Sequence, residues 1–370
     1  KHESIYEKHF GKDHPIITEN LNQLAGYSLD QGKYTETESY YKRALSIVQN
    51  HFGREHIRGA IYLHNLGYSY LKQGRYAEGE SLLKRSIAIQ EKSYNKENMP
   101  TDFITNLAIL YLDQGRKKEA ESLFKRILTI EKNKYGDQHS YVASTLLFLS
   151  KVYLRSGQNI ESERYLTSAF NIFNQLKGVK LKYNKYLFKR YASVGSLLIN
   201  NFDSLENPRL IEDVFYSIQR VKASSTENTL SRVSARFAAG TGPLSLKVRD
   251  LQDLEDQIEA FDGMLLEEMG KPSKKQNSIR TGNLREQIAE LKSNIQMLSS
   301  SITEEFPDYA ELSDPQPLSL KEIQHYLGSN EGLLVYAFLT DDEYFTTTHV
   351  NQLFVVTKSA IKLHQIKTSR

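Results

Sequence analysis

The chain has 370 residues, 39% hydrophobic and 25% charged, which suits two to three domains with real cores. A net charge of +3 leaves no nucleic-acid footprint in the totals, and the absence of cysteine excludes disulfides, thiolate metal sites and a cysteine nucleophile from this chain. No run approaches the roughly 18–20 apolar residues of a membrane helix, and Lys1-His2-Glu3-Ser4-Ile5 is neither an initiator nor an apolar leader. The expectation is therefore a cytoplasmic protein cut from a longer gene product, with no membrane or nucleic-acid partner and no cofactor.

In chain order, the first feature is a repeat. Gln31-Gly32, Gln73-Gly74, Gln114-Gly115 and Ser156-Gly157 place glycine at intervals of 42, 41 and 42. A Glu-x-Glu pair follows each: Glu36 and Glu38, Glu78 and Glu80, Glu119 and Glu121, Glu161 and Glu163. Leu24, Leu66, Leu107 and Leu149 precede the glycines by eight residues, and Ile47, Ile89, Ile130 and Ile172 follow by fifteen. A second marker, Phe10-Gly11, Phe52-Gly53, Tyr94-Asn95 and Tyr135-Gly136, is followed by His14, His56, Asn98 or His139. A fixed period of this size predicts a solenoid.

Each unit reads as two helices. Leu63, Leu66, Tyr70 and Leu71 form the apolar side of a first helix, which Gly74 ends in the left-handed conformation. Tyr76, Leu82, Leu83, Ile87 and Ile89 form that of a second, with Glu78 and Glu80 in its first turns and Lys84 and Arg85 farther along. One pair cannot bury its own apolar face, so pairs stack. Repeats are expected at about 14–55, 56–97, 98–138 and 139–180. A degenerate unit follows at 181–223, with Tyr183, Leu187, Tyr191, Val194 and Leu198 on its first helix and Pro208 opening its second.

These columns resemble the tetratricopeptide family, in the 42-residue form known from kinesin light chains and many bacterial proteins. The resemblance covers about residues 1–180 and implies a domain over 1–223 that binds peptides or proteins. Lys117 and Asn159 depart from it where the pattern has Tyr34 and Tyr76.

Beyond the repeats the period changes. Leu251, Leu254, Ile258, Phe261 and Leu265, then Leu284, Ile288, Leu291, Ile295, Leu298 and Ile302, form heptad seams and predict an antiparallel helical hairpin within a connector over 224–306. The intervening Gly270 to Asn283 has no acid and reads as an exposed loop. Phe306-Pro307-Asp308-Tyr309 ends the helical run. Ser319 and Glu322 form a capping box on a short helix to Leu327. Gly332–Leu339, Leu353–Thr357 and Ile361–Ile366 read as strands, the first of them buried. The fold class expected is mainly α: a solenoid, a helical hairpin and a small, incomplete α/β portion over 307–370.

The second half resembles the lead-in of the CHAT family, caspase-like peptidase domains attached to tetratricopeptide repeats. The carrying segments are VKASSTENTLSRVSARFAAG (221–240), the heptad hairpin, EFPDYAELSDPQPLSLKEIQHYLGSNEGLLVYAFL (305–339) and LFVVTKSAIKLHQI (353–366). Residues 343–352, EYFTTTHVNQ, depart from it as if a hairpin were lengthened. The family's activity rests on a His–Cys pair. This chain has no Cys and no stretch matching the catalytic His region, so it is read as a non-enzyme, the sensor or regulatory half of a peptidase. The alternatives are a parent that is an active cysteine peptidase, and a structural protein that oligomerises through the hairpin.

Candidate chemistry is sparse. The His residues beside the Phe/Tyr-Gly markers read as loop residues copied by the period rather than metal ligands. His364 reads as a strand-face residue, and His349 has no evident partner. The Glu-x-Glu pairs read as helix-start capping and solubility rather than paired acid–base carboxylates. AAGTGPL (238–244) lacks the context of a phosphate loop. The basic stretch 271–280 reads as a solvated linker. The better site is the concave face of the first helices, where two columns read Gln23, Asn65, Asn106, Phe148 and Asn22, His64, Thr105, Leu147. Amide side chains offer a donor and an acceptor, and so either grip a peptide backbone or tie neighbouring helices. The candidate groove is Asn22, Gln23, His64, Asn65, Tyr68, Thr105 and Asn106, with Tyr27 a further aromatic anchor and Tyr70 assigned to the core.

Overall fold

Helical periodicity and glycine stops account for most of the architecture. The computed structural model describes residues 11–94, 99–175, 184–201, 209–220, 242–269, 277–307, 309, 318–342 and 347–365. Consecutive helical hairpins run α1 (Ile17–Asp30), α2 (Tyr34–Phe52), α3 (Ile57–Lys72), α4 (Tyr76–Ser93), α5 (Asp102–Asp113), α6 (Lys117–Tyr135), α7 (Ser140–Arg155), α8 (Asn159–Gln175) and α9 (Asn184–Asn201). Residues 209–220 form α10. The described residues divide into two units, one ending at Lys134 and the other beginning at Tyr135.

The turn inside each repeat is built the same way. Gly74 sits at φ 75°. Its N–H bonds the Leu71 carbonyl at 3.0 Å, and the Arg75 N–H bonds the Tyr70 carbonyl at 2.9 Å. That is a Schellman cap, and it satisfies two carbonyls the helix leaves open. Gly32, Gly115 and Gly157 repeat it, with Lys33, Arg116 and Gln158 in the place of Arg75.

In the first unit, Ile17, Leu21, Tyr41, Ile47, Val48, Tyr62, Leu66 and Tyr70 join in one core across α1 to α3. The column isoleucines Ile47, Ile89 and Ile130 are all buried. Burial of each such side chain stabilises by roughly 1.5–3 kcal/mol. Tyr76 departs from the expected core role: it lies at the first position of α4, outside the stripe, and is exposed. Pairs touch closely where side chains are absent. A Cβ on Gly79 would lie 2.5 Å from Leu71 and 2.9 Å from the Gly67 carbonyl.

In the second unit, α7, α8 and α9 pack in succession, and Tyr191, Val194 and Leu198 are buried as their spacing requires. Tyr183, the segment 202–208 with Pro208, and residues 221–241 lie outside the described residues. α11 (Pro243–Met269) and α12 (Ser278–Glu305) pack side by side. Val248 meets Ile302 at one end, Ile258 meets Leu291 and Ile295, and Leu265 meets Leu284 and Ile288 at the other. The pairs run in opposite order, so the helices are antiparallel, and Tyr135 packs against the far end. The connection is shorter than expected. Asn277 accepts from the Arg280 N–H at 3.0 Å and starts α12, which makes residues 278–283 helical rather than loop. Residues 270–276 lie outside the described residues.

α13 (Leu320–Tyr326) carries the expected box: the Ser319 N–H donates to Glu322 at 2.7 Å and the Glu322 N–H donates to Ser319 at 3.2 Å. β1 (Gly332–Asp342), β2 (Thr347–Thr357) and β3 (Ile361–Gln365) form an antiparallel sheet in that order. The β1–β2 pairing holds register from Gly332↔Thr357 to Asp342↔Thr347, a long hairpin whose tip, 343–346, lies outside the described residues. Phe354 is fully buried and its ring lies 5.3 Å from that of Phe215 on α10. β1 is not the buried strand its composition predicts. Ala337 is buried, but Leu334 and Tyr336 are 53% and 46% exposed. An apolar run specifies a strand without specifying what covers it.

Candidate ligand-binding face

Asn22, Gln23, His64, Asn65, Tyr68, Thr105 and Asn106 all fall on the first helices of the first three repeats, in one unit. The structure connects four of them in a diagonal pattern. Asn65 Nδ2 donates to Asn22 Oδ1 at 2.9 Å, and Asn106 Nδ2 lies 3.0 Å from His64 Nε2. Each bond joins the second column of one repeat to the first column of the next. The His64 ring lies 4.7 Å from Phe103, and burial pushes its pKa down to about 4. A neutral ring accepts at Nε2 from the Asn106 amide and therefore carries its proton on Nδ1. That nitrogen is buried and has no hydrogen-bond partner among the described residues. Gln23 is exposed and takes no described part in the diagonal pattern. Tyr68 is half-buried with Lys72 over its ring at 5.5 Å, and Thr105 donates to the Thr101 carbonyl inside its own helix. Tyr27 is 68% exposed.

The histidine markers are helix caps. His56 Nδ1 accepts from the Arg58 N–H at 3.3 Å and His139 Nδ1 from the Tyr141 N–H at 3.2 Å, while Phe52 and Tyr135 stack on their rings. The aromatic-Gly-x-x-His pattern is thus one device, a ring clamping the imidazole that starts the next repeat. Burial and the nearby Lys292 push His139 down to about 4. His364 is exposed on β3. Phe10 and residues 95–98 lie outside the described residues.

The Glu-x-Glu pairs do more than the expected capping. α2 and α4 have no side-chain cap. Glu78 instead takes two bonds from Arg75, at 2.8 and 2.6 Å. Glu38 crosses to the next repeat: it accepts from Tyr70 at 2.8 Å and from Arg75 at 2.8 Å, with Lys42 at 2.6 Å. The Arg75 guanidinium lies 3.7 Å over the Tyr70 ring. Glu80, Tyr111, Arg116 and Lys84 repeat the arrangement one unit on. Lys42, with Arg75 and Tyr70 behind it, holds Glu38 down to about 2 against the cost of burial. The signal for this staple was present as Tyr four residues before the glycine and Arg one after it. Only the stacking of repeats brings them to the preceding Glu.

A second group on these faces lies in the other unit. Arg190 stands 42 residues after Phe148, in the same column. Its guanidinium lies 4.2 Å over the Phe148 ring and donates to Ser144 at 3.2 Å. Ile199, not glycine, stands 42 residues after Gly157, so the glycine motif does not lead to this residue although the column spacing does.

Among known proteins, the tetratricopeptide repeat family model matches residues 5–92 and 102–175. None of the curated proteins matches the chain. Solved structures similar to it include the crystal structure of BtubC (BKLC) from P. vanneervenii, at 17% identity and a TM-score of 0.50, covering 61% of this chain and 87% of that one. Another is the Podosopora anserina putative kinesin light chain nearly identical TPR-like repeats, at 21% identity and a TM-score of 0.46, covering 57% and 98%. Capped helix pairs on a period of 42, stapled repeat to repeat, thus coincide with the family match: residues 5–92 and 102–175 are tetratricopeptide repeats, a scaffold suited to protein binding.

Proposed function

We propose that this scaffold receives an extended peptide segment of a partner protein along Asn22, Gln23, His64, Asn65, Tyr68, Thr105 and Asn106. The observation that carries the reading is the amide pattern Asn65–Asn22 and Asn106–His64. These bonds orient the side chains before any ligand arrives, and Asn65 and Asn106 remain half-exposed. An oriented amide loses little freedom on binding, which lowers the cost of capture. Tying neighbouring repeats and gripping a backbone are then two uses of the same groups. Panning a random peptide library against the protein should enrich extended binders, and Asn65→Ala with Asn106→Ala should weaken them by tenfold or more. Equal binding by that double variant would remove the assignment.

The finer reading is that the chain is the regulatory half of a caspase-like peptidase. It is supported by the resemblance of 305–339 to the CHAT lead-in. Its domains are then a solenoid over 1–223, a helical connector over 224–306 and a CHAT-like portion over 307–370. With no cysteine, this chain should leave a panel of fluorogenic peptides uncut; turnover by the purified chain would overturn the reading.

A further inference from the structure

The sheet treats its two edges differently. The order β1-β2-β3 leaves β1 and β3 as edge strands. An edge strand offers a row of unpaired backbone groups to any other strand, and proteins blunt such edges with shortness, lysine, proline or a bulge. β3 has 5 residues and carries Lys362, which is exposed. β1 has 11 residues with no lysine and no proline, and its register with β2 runs unbroken from Gly332 to Asp342. Among the described residues, no hydrogen bond ties the outward backbone groups of β1 to another element. One face of the sheet is covered: Phe354 and Val356 are buried on it, and Phe215 of α10 meets Phe354. On β1, apolar exposure persists on both faces. Leu333, opposite Val356 in register, is 37% exposed on the covered face, while Leu334 and Tyr336 are 53% and 46% exposed on the other. A missing neighbour strand leaves exposure of this two-sided kind.

Charge selects what can fill the gap. From Gly332 to Thr340 the strand is uncharged, and its charges, Asp341 and Asp342, stand together at one end. Two such strands paired parallel in register would set acid against acid, whereas antiparallel pairing sends the acidic ends apart. We propose that β1 pairs with β1 of a second copy, antiparallel about a two-fold axis at Val335. In that register Leu334 stands opposite Tyr336 of the second copy, twice by symmetry. Leu333 falls opposite Ala337, and Gly332 opposite Phe338, so the paired stretch is apolar throughout. Asp341 and Asp342 stay outside it. The side chains most exposed on β1 cover one another, and main-chain hydrogen bonds close the open edge. This pairing is independent of the peptide-binding reading.

The test is sedimentation equilibrium of the intact chain, which should show a dimer at micromolar concentrations. Tyr336→Lys places a charge on the open edge and should raise the dissociation constant at least tenfold, with far-ultraviolet circular dichroism unchanged. His364→Lys, on the opposite edge strand, should leave it within twofold. The chain has no cysteine, so introduced thiols report the register cleanly. A mixture of Leu334→Cys and Tyr336→Cys chains should form a disulfide-linked dimer under mild oxidation. Either variant alone should cross-link far less, because each position stands two residues along the strand from its own copy, beyond the reach of a disulfide. A monomer, a dimer untouched by Tyr336→Lys, equal losses from Tyr336→Lys and His364→Lys, or cross-linking of either cysteine variant alone as strong as in the mixture would each overturn the proposal.

Discussion

Single residues in this protein are chosen for backbone angle, for space or for charge, and substitution separates the three. Gly74 has φ 75° and nothing within 4 Å of where a Cβ would be, so Gly74→Ala tests backbone strain alone. It should cost about 1–2 kcal/mol in urea unfolding. Gly26 lies inside α1 at ordinary helical angles with open space around it, so Gly26→Ala should stabilise by about 1 kcal/mol. Glu38 shows the third kind. Its carboxyl is held at about 2 against an ordinary 4.5, chiefly by Lys42 and then by Arg75 and Tyr70. A lowered folded pKa means stabilisation that is complete above 4.5 and lost as pH falls through about 2. The stability advantage of the wild type over Glu38→Gln should therefore shrink across that window in a pH series of thermal midpoints. His139 moves in the same direction at higher pH: its folded pKa is about 4 against 6.5, so the unfolded chain binds the extra proton and stability falls as pH drops from 6.5 to 4. His139→Asn should keep the cap, because Asn is among the preferred N-cap residues, and flatten that part of the profile.

At the scale of elements, α3 and α4 come close enough at Gly67 and Gly79 for a single methyl to matter. Gly79→Ala removes a helix-weakening glycine, a gain of about 1 kcal/mol. It also forces a Cβ to 2.5 Å from Leu71, and overpacking of this kind costs about 1–3 kcal/mol. The net expectation is a loss of up to about 2 kcal/mol, larger for Gly79→Val, read from denaturant midpoints. Opposite signs for Gly26→Ala and Gly79→Ala would show that packing decides the second. The repeat period, the apolar stripes of α1 to α8 and the seams of α11 and α12 were legible in the sequence, because each follows from helical spacing. The Gly67–Gly79 contact was not, since two small residues twelve apart are meaningful only once two helices cross. Nor was the reach of Glu38 to Arg75, which spans 37 positions in the chain and a single hydrogen bond in space.

For the whole molecule, the repeated unit carries most of the information, and what differs between repeats sets the chemistry. The amide columns of the first three repeats give way in sequence to Leu147 and Phe148, then to Lys189 and Arg190. The sequence alone determined the solenoid, its helix ends and the columns on its faces. Those depend on local propensities, left-handed glycine and spacing, all written within one period. Tertiary structure alone decided what each column touches. It turned Glu-x-Glu from a capping motif into a staple, bonded Asn65 to Asn22, and left β1 with exposed apolar side chains. The physical reason is that hydrogen bonds and ion pairs act over about 3 Å, and no spacing within a single repeat states which neighbour will stand at that distance.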